Sequence, residues 1–219
     1  MKNKRKWKDY YVSLLKGLCY HIYNEGNNKQ IIFRDDADKE RFIKKFKLYM
    51  TPFVILESYS LMPNHFHIIM IVKKDFKNYT DRYINLDKVI TRFKKKSSRE
   101  EESIIIGELM RRFLMSYSKY YNSKYSLTGS LFRKNYRRIL LETIEDIKRV
   151  IIFIHRNPQI HELINDFRDY TWSTYKRYKD ETKWLLSSGV IFKTLFKNIL
   201  IMEFEHINHT DNDYDIQIE

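Results

Sequence analysis

The sequence predicts an α+β fold, in which an antiparallel sheet is covered by helices on one side. Strand and helix patterns follow one another along the chain in the order β-α-β-β-α-β-α. Two of the strand patterns are separated only by a Pro-Asn turn signal, as in an antiparallel hairpin. Each helix pattern carries one apolar stripe, which the face of such a sheet is able to bury.

The first two elements are a strand over about residues 18–24 and a helix over about residues 37–50. The strand alternates through Tyr20-His21-Ile22-Tyr23-Asn24 and ends in a turn-rich cluster. Aspartates at 35–38 are suitable N-caps for the helix. Its apolar face holds Phe42, Phe46 and Tyr49, while most of its lysines lie on other faces.

The hairpin consists of strands at 54–61 and 65–72, and the second strand begins with His65-Phe66-His67. Because side chains alternate along a strand, His65 and His67 point to the same face. Two imidazoles at this spacing are able to bind a divalent metal. An ordinary pair of strand histidines has the same spacing, so the spacing alone leaves both interpretations open.

The second half of the chain predicts a helix, a basic strand and another helix. Apolar residues recur at helical spacing over 104–121, and the strand over 131–140 is rich in Arg and Lys. The last helix starts near Glu142 and is expected to end at Asn157, before Pro158. The segment 73–103 is polar, and its lysine run at 94–96 is a candidate phosphate contact.

The amino-acid composition restricts what kind of protein this is. The chain has 219 residues with 43% hydrophobic content, which is typical of a globular protein. Its one cysteine excludes a disulfide framework within the chain and favours a cytoplasmic location. No apolar run is long enough for a membrane span. The net charge of +13 favours a polyanionic partner, although a lysine-rich genome bias produces the same excess.

The domain organisation predicted from these patterns is one main domain over 1–180. It is followed by a C-terminal helix and an acidic tail over 181–219. The helix is expected within 191–205, and the tail is expected to be disordered.

Five short stretches then occur in a fixed order between about residues 18 and 178. They are Tyr20-His21-Ile22-Tyr23-Asn24-Glu25-Gly26-Asn27-Asn28, Met62-Pro63-Asn64-His65-Phe66-His67-Ile68-Ile69, Gly129-Ser130-Leu131-Phe132-Arg133, Phe153-Ile154-His155-Arg156-Asn157-Pro158 and Trp172-Ser173-Thr174-Tyr175. Together they resemble the single-tyrosine HUH transposases, in particular the REP-associated tyrosine transposase branch.

The resemblance implies a ferredoxin-like antiparallel sheet with helices on one face. It also implies cleavage and rejoining of single-stranded DNA beside a hairpin, by a tyrosine that forms a 5′-phosphotyrosine. Mg²⁺ or Mn²⁺ held by His65 and His67, called the histidine pair below, would polarise the scissile phosphate. Members of the family act as monomers or as homodimers.

The chain departs from the family at the nucleophile. The tyrosine that opens the late-helix motif is replaced by Phe153, which has no hydroxyl. Asn157 lies one turn later on the same helix face, and the resemblance implies that it is the third metal ligand, because the family's residue four after the tyrosine helps bind the metal; a C-cap role is the alternative. His155 lies on another face and is expected to be structural or to contact DNA. Tyr136, Tyr170 and Tyr175 are candidate substitutes for the nucleophile; hydrolysis by a metal-activated water is another route.

Basic side chains near the fourth strand are the candidate DNA contacts. They are Arg133, Lys134, Arg137 and Arg138 on the strand, with Arg111 and Arg112 on the preceding helix. A solvated basic surface is the alternative interpretation. Three functions follow: an active single-strand transposase, a non-cutting binder of DNA hairpins that lacks tyrosyl chemistry, and a basic RNA-binding protein. The missing hydroxyl favours impaired chemistry with retained binding.

Overall fold

The computed structural model describes residues 12–75, 88, 90–91, 100–179, 194–196 and 198–209. Its four-stranded antiparallel sheet has the order β2-β3-β1-β4, with β1 Cys19–Glu25, β2 Val54–Leu61, β3 His65–Val72 and β4 Arg137–Leu141. The helices are α1 Asp36–Met50, α2 Glu101–Lys124, α3 Ile144–Ile160, α4 Tyr175–Lys179 and α5 Ile199–Ile207. The predicted α+β class is confirmed, and the β-α-β-β-α-β order is ferredoxin-like.

Helices cover both faces of the sheet. α1 and α2 pack on the face that carries Tyr20, Ile22 and Phe66, as the one-sided arrangement predicts. α3 packs on the opposite face, against Cys19 and Tyr23, and this corrects the prediction that the helices lie on one side. The reason is that β1 and β3 are buried along almost their whole length, so both of their faces need cover.

Two element boundaries differ from the prediction. β4 begins at Arg137 instead of near 131, because Asn135 has a φ of 78° and interrupts the extended chain. α3 continues to Ile160, so Pro158 lies in its last turn, where losing one backbone donor disturbs few bonds. The C-cap is His161, whose N–H donates to the carbonyl of Asn157, so Asn157 is not the cap.

The C-terminal helix belongs to the same packed unit as α3. α5 overlaps the predicted helix and buries Met202 and His206 in the core on the α3 side of the sheet. The lysine run at 94–96 and the acidic residues from 210 onward lie outside the described residues. Among the helices described, none has the length and apolar character that crossing a membrane requires.

Candidate metal centre and nucleic-acid interface

Three of the stretches that carry the family resemblance meet at one end of the sheet. β1 ends at Glu25, which lies opposite His65, the first residue of β3. Gly26 then donates its backbone N–H to the carbonyl of Asn64 over 2.8 Å and forms a β-bridge with Phe132. The turn before the histidine pair and the loop before β4 are therefore fixed to the same strand end.

The other two stretches close this end from the α3 side. α3 places Asn157 beside His65 and Phe153 beside His67. The segment at 172–175 runs along the edge of β2, where the N–H of Leu61 donates to the carbonyl of Trp172 over 2.9 Å. Residues far apart in sequence thus surround the histidine pair.

The glycine of the first stretch is required by close packing. A Cβ atom at Gly26 would lie 2.0 Å from the carbonyl oxygen of Gln30, which no side chain tolerates. The Gln30 amide in turn donates to the carbonyls of Ser130 and Leu131, over 3.0 and 2.8 Å. This turn therefore connects the first stretch to the third.

His65 lies between two amide oxygens, one beside each ring nitrogen. Its Nδ1 lies 2.7 Å from Oδ1 of Asn64, and its Nε2 lies 3.0 Å from Oδ1 of Asn157. Burial lowers the pKa of His65 to about 4, so the ring is neutral and carries one proton. The neutral ring donates to only one of these oxygens at a time: donation from Nε2 to Asn157 suits the metal-free site, and donation from Nδ1 to Asn64 leaves the Nε2 lone pair for a metal ion.

His67 is oriented by a histidine on the first strand. Its Nδ1 lies 2.9 Å from Nε2 of His21, and the two rings stack. Burial lowers the pKa of His21 to about 3, and burial together with the neighbouring histidines holds the pKa of His67 well below its usual range. Both rings are therefore neutral, as metal binding requires.

The outer nitrogen of His67 is open. Its Nε2 is buried and has no hydrogen-bond partner in the described part of the chain. Nδ2 of Asn157 is also buried without a hydrogen-bond partner among the described residues. Buried polar atoms are normally paired, so the Nε2 lone pair of His67 fits a cation, and the Nδ2 donor of Asn157 fits a water molecule bound to that cation.

The third candidate metal ligand, after His65 and His67, is the side-chain amide oxygen of Asn157. Within the residues described, no group of three or more His, Cys, Asp or Glu side chains is arranged to hold a metal. Two ligands in neighbouring positions on an octahedral ion, each about 2.1 Å from it, lie about 3.0 Å apart. The 3.0 Å between Nε2 of His65 and Oδ1 of Asn157 is an ordinary hydrogen-bond length, and it is also compatible with two ligands of one divalent ion.

Phe153 lies where the resemblance places the nucleophile. Its ring meets the ring of His67 edge to face, with 5.8 Å between the ring centres. Tyr23 also contacts this histidine, with 5.7 Å between the ring centres, and its hydroxyl is 3.5 Å from the guanidinium of Arg137. Position 153 therefore faces the histidine pair but presents no oxygen.

The tyrosines proposed as substitutes lie elsewhere. Tyr136 packs with the core on the α1–α2 side of the sheet, opposite the histidine pair, which removes it as a replacement nucleophile. Tyr170 donates its hydroxyl to the carbonyl of Leu61 over 2.6 Å. Tyr175 is fully buried in the core on the α3 side of the sheet.

His155 is structural, one of the two roles expected from its helix face. Its Nδ1 lies 2.9 Å from Nε2 of His206, and its Nε2 lies 2.9 Å from Ser58 Oγ and 2.8 Å from Thr174 Oγ1. It is fully buried, so it is not available to DNA.

A basic groove of about 940 Å³ lies between α2 and the loop before β4. Most of the predicted DNA contacts line it: Arg111, Arg133, Lys134 and Arg138. Tyr136 lines it as well, 5.8 Å from the guanidinium of Arg138 to the ring centre. Arg133 pairs with Glu25, so the groove and the histidine pair adjoin the same end of β1.

The two remaining arginines lie outside this groove. Arg112 donates to Glu108 over 2.7 Å, as Arg111 does. Arg137 lies over the ring of Tyr23, on the face of the histidine pair. Consecutive arginines on β4 therefore face opposite sides of the sheet, which is what strand alternation requires.

Sequence reasoning missed three residues near the pair. His21 and Tyr23 alternate on β1 and were visible as a pattern, but their position depends on the pairing of β1 with β3. His161, just beyond α3, has its ring centre 5.1 Å from that of His65. No motif pointed to it, because the quoted late-helix motif ends at Pro158.

Comparison with known proteins shows the fold. The chain is similar to a solved structure of a REP-associated tyrosine transposase bound to a REP hairpin, with a TM-score of 0.50 and 13% sequence identity. The similarity covers 78% of this chain and 84% of that chain. No family model matches the chain, and no curated protein matches it. The likeness supports a distant HUH transposase-like fold.

Proposed function

We propose that this protein is a transposase-like DNA-binding protein that binds single-stranded or hairpin DNA and holds a divalent metal, with its tyrosyl chemistry impaired. The observation that carries this proposal is the geometry around position 153: neutral imidazoles and an amide oxygen converge beside Phe153, which lacks the attacking oxygen. The solved neighbour is bound to a DNA hairpin, and that partner is proposed here for this chain.

In this proposal the metal is held by His65, His67 and Asn157. When bound, Mg²⁺ or Mn²⁺ supplies Lewis-acid polarisation of a phosphate oxygen. Asn64 keeps the Nε2 lone pair of His65 available, and His21 does the same for His67 when it accepts the Nδ1 proton of that ring. The chain thus orients its ligands through neighbouring hydrogen bonds.

DNA phosphates are proposed to bind along the basic groove, with Arg137 contacting the strand on the other face of β4. Guanidinium groups bind phosphate bidentately, and Tyr136 offers a ring for base stacking. Because Arg133 adjoins Glu25 and Glu25 lies opposite His65, a strand leaving the groove at this end approaches the histidine pair. The same proposal includes a cytoplasmic location for the protein and its assembly as a homodimer.

The deciding experiment incubates the protein and Mn²⁺ with a single-stranded hairpin oligonucleotide and resolves the products on a denaturing gel. The wild-type chain is expected to form no protein–DNA adduct, since Phe153 has no nucleophilic oxygen. Phe153→Tyr is expected to restore nicking, and adding Tyr136→Phe should leave the restored activity unchanged. An adduct formed by the wild type would contradict the proposal, and mapping it would test Tyr23 first.

Binding is measured separately by fluorescence anisotropy against the same hairpin. Lys134→Ala is expected to weaken binding and to reduce the slope of log affinity against log salt by about one. Lys44→Ala, on the exposed side of α1, is the matched control and should change neither quantity. Tighter binding to double-stranded RNA than to the hairpin would favour an RNA-binding protein instead.

A further inference from the structure

His161 lies beside the proposed metal site, in contact with His65, and belongs to none of the recognised stretches. It is the C-cap residue of α3, and its N–H donates to the carbonyl of Asn157 over 3.0 Å. Four residues separate the two positions, which places both side chains on one side of the helix end. Asn157 in turn contacts His65.

The His65 ring lies in edge-to-face contact with two other imidazoles, at distances that ligands of one ion also have. The ring centres of His161 and His65 are 5.1 Å apart, and those of His65 and His67 are 5.2 Å apart. Imidazoles that share a tetrahedral ion through bonds of about 2.0–2.1 Å have ring centres about 5 Å apart. The His65 ring is thus nearly equidistant from the other two.

An independent observation points to a missing ligand between these rings. The Nε2 atom of His67 is buried and lacks a hydrogen-bond partner among the described residues, and so does Nδ2 of Asn157. Burying polar atoms without partners is destabilising. A bound ion, with its waters, removes that cost at both atoms.

We propose that His161 turns inward to become a third imidazole ligand, and that the site thereby favours an imidazole-binding ion such as Zn²⁺ or Co²⁺ over Mg²⁺. This proposal rests on the metal site proposed above. Three nitrogens and one amide oxygen suit borderline transition ions, whereas Mg²⁺ prefers oxygen ligands and water. His161 is exposed, so its ring is free to rotate about its side-chain bonds.

The movement is needed because the described side chains do not already form a three-ligand group. In the proposed bound state the His161 ring lies beside His65 as a ligand from the end of α3. The ion would thereby connect the end of α3 to the first residue of β3.

The test uses the full chain in chelator-free buffer, with Zn²⁺ titrated by calorimetry and Co²⁺ followed by its visible absorption. His161→Ala is expected to weaken Zn²⁺ binding by at least about tenfold and to change the Co²⁺ spectrum, while Mn²⁺ binding changes little. His209→Ala, which removes a histidine outside the site, is the matched control and should leave both readouts unchanged.

The outcomes separate the two proposals. Unchanged Zn²⁺ affinity and Co²⁺ spectrum in His161→Ala, with binding lost in His65→Ala, would overturn the role of His161 and leave the proposed metal site intact. No Zn²⁺ or Mn²⁺ binding by the wild type, or wild-type affinity in His65→Ala, would overturn both. Circular dichroism of each variant separates loss of a ligand from loss of fold.

Discussion

Helix α3 contacts two histidine clusters that differ in their hydrogen bonding. The site cluster consists of His21, His65, His67 and Asn157. The buried network consists of Ser58, His155, Thr174 and His206. Both are buried, and in both the histidine pKa values are lowered chiefly by desolvation.

In the buried network one set of tautomers satisfies every ring nitrogen. The carbonyl of Met202 only accepts, so His206 donates to it from Nδ1 over 2.7 Å. Its Nε2 then accepts from Nδ1 of His155, whose Nε2 accepts a hydroxyl proton from Ser58 or Thr174. Each neutral ring donates once and accepts once.

In the site cluster, no choice of tautomers gives every ring nitrogen a hydrogen-bond partner among the described residues. Nδ1 of His21 and Nε2 of His67 are buried without partners among the described residues. The comparison teaches that burial and depressed pKa values do not distinguish a binding histidine from a structural one in this protein. What distinguishes these two clusters is the unsatisfied nitrogens of the site cluster, whose burial is destabilising unless a ligand pairs with them.

The largest expected effect is on stability, in the buried network. His155→Ala leaves Ser58, Thr174 and His206 with altered or missing partners and creates a cavity. We expect a loss of about 3 kcal/mol or more in the free energy of unfolding. Urea denaturation measures it, with exposed His161→Ala as the control, for which about 0.5 kcal/mol or less is expected. A loss below about 1 kcal/mol in His155→Ala would show that the network is not structural.

The second-largest expected effect is a loss of folding stability at acidic pH. Unfolded histidines have a pKa near 6.5, so below that pH the unfolded chain binds protons that the folded rings reject. Stability is therefore retained above pH 6.5 and declines as the pH falls toward the folded values, about 4 for His65 and about 3 for His21 and His206. His21 alone is expected to contribute about 2 kcal/mol of this loss by pH 5.

The urea midpoint of unfolding, measured at pH 7 and at pH 5, reports this loss of stability. The midpoint of His21→Phe should decrease less between the two pH values than that of the wild type. Imidazole NMR signals extend the comparison between the clusters, because His65 is expected to protonate before His206. A pH-independent midpoint would mean that the buried rings do not carry the shifted pKa values.

Much of this arrangement is readable from local patterns. Alternation in His65-Phe66-His67 predicted the shared strand face, and i,i+4 spacing predicted that Asn157 and Phe153 share one helix face. That this helix face approaches the histidine pair was implied by the family resemblance. The bounds of β2 and β3 were predicted as observed. These features depend on backbone periodicity, which neighbouring residues determine.

The rest depends on pairings between distant segments. His21 meets the pair only because β1 pairs with β3 in one register, with His21 opposite Ile69. His206 contacts His155 across a separation of 51 residues. The second helical layer arises because both faces of the central strands are apolar, a property that leaves open which helix covers which face.

The smallest expected stability effect is also the sharpest test of the comparison. His21→Phe combined with His67→Leu removes both partners of the hydrogen bond between these rings, together with both unpartnered nitrogens. Replacing both partners with apolar groups is nearly neutral, so we expect a change within about 1 kcal/mol, while His21→Phe alone costs about 1–3 kcal/mol by leaving Nδ1 of His67 unpaired. Urea denaturation of His21→Phe, His67→Leu and the double variant gives the coupling between the two residues, and Zn²⁺ titration confirms that metal binding is lost. If the double variant instead loses as much stability as His155→Ala, the two clusters are structurally equivalent, and the open nitrogens no longer mark a binding site.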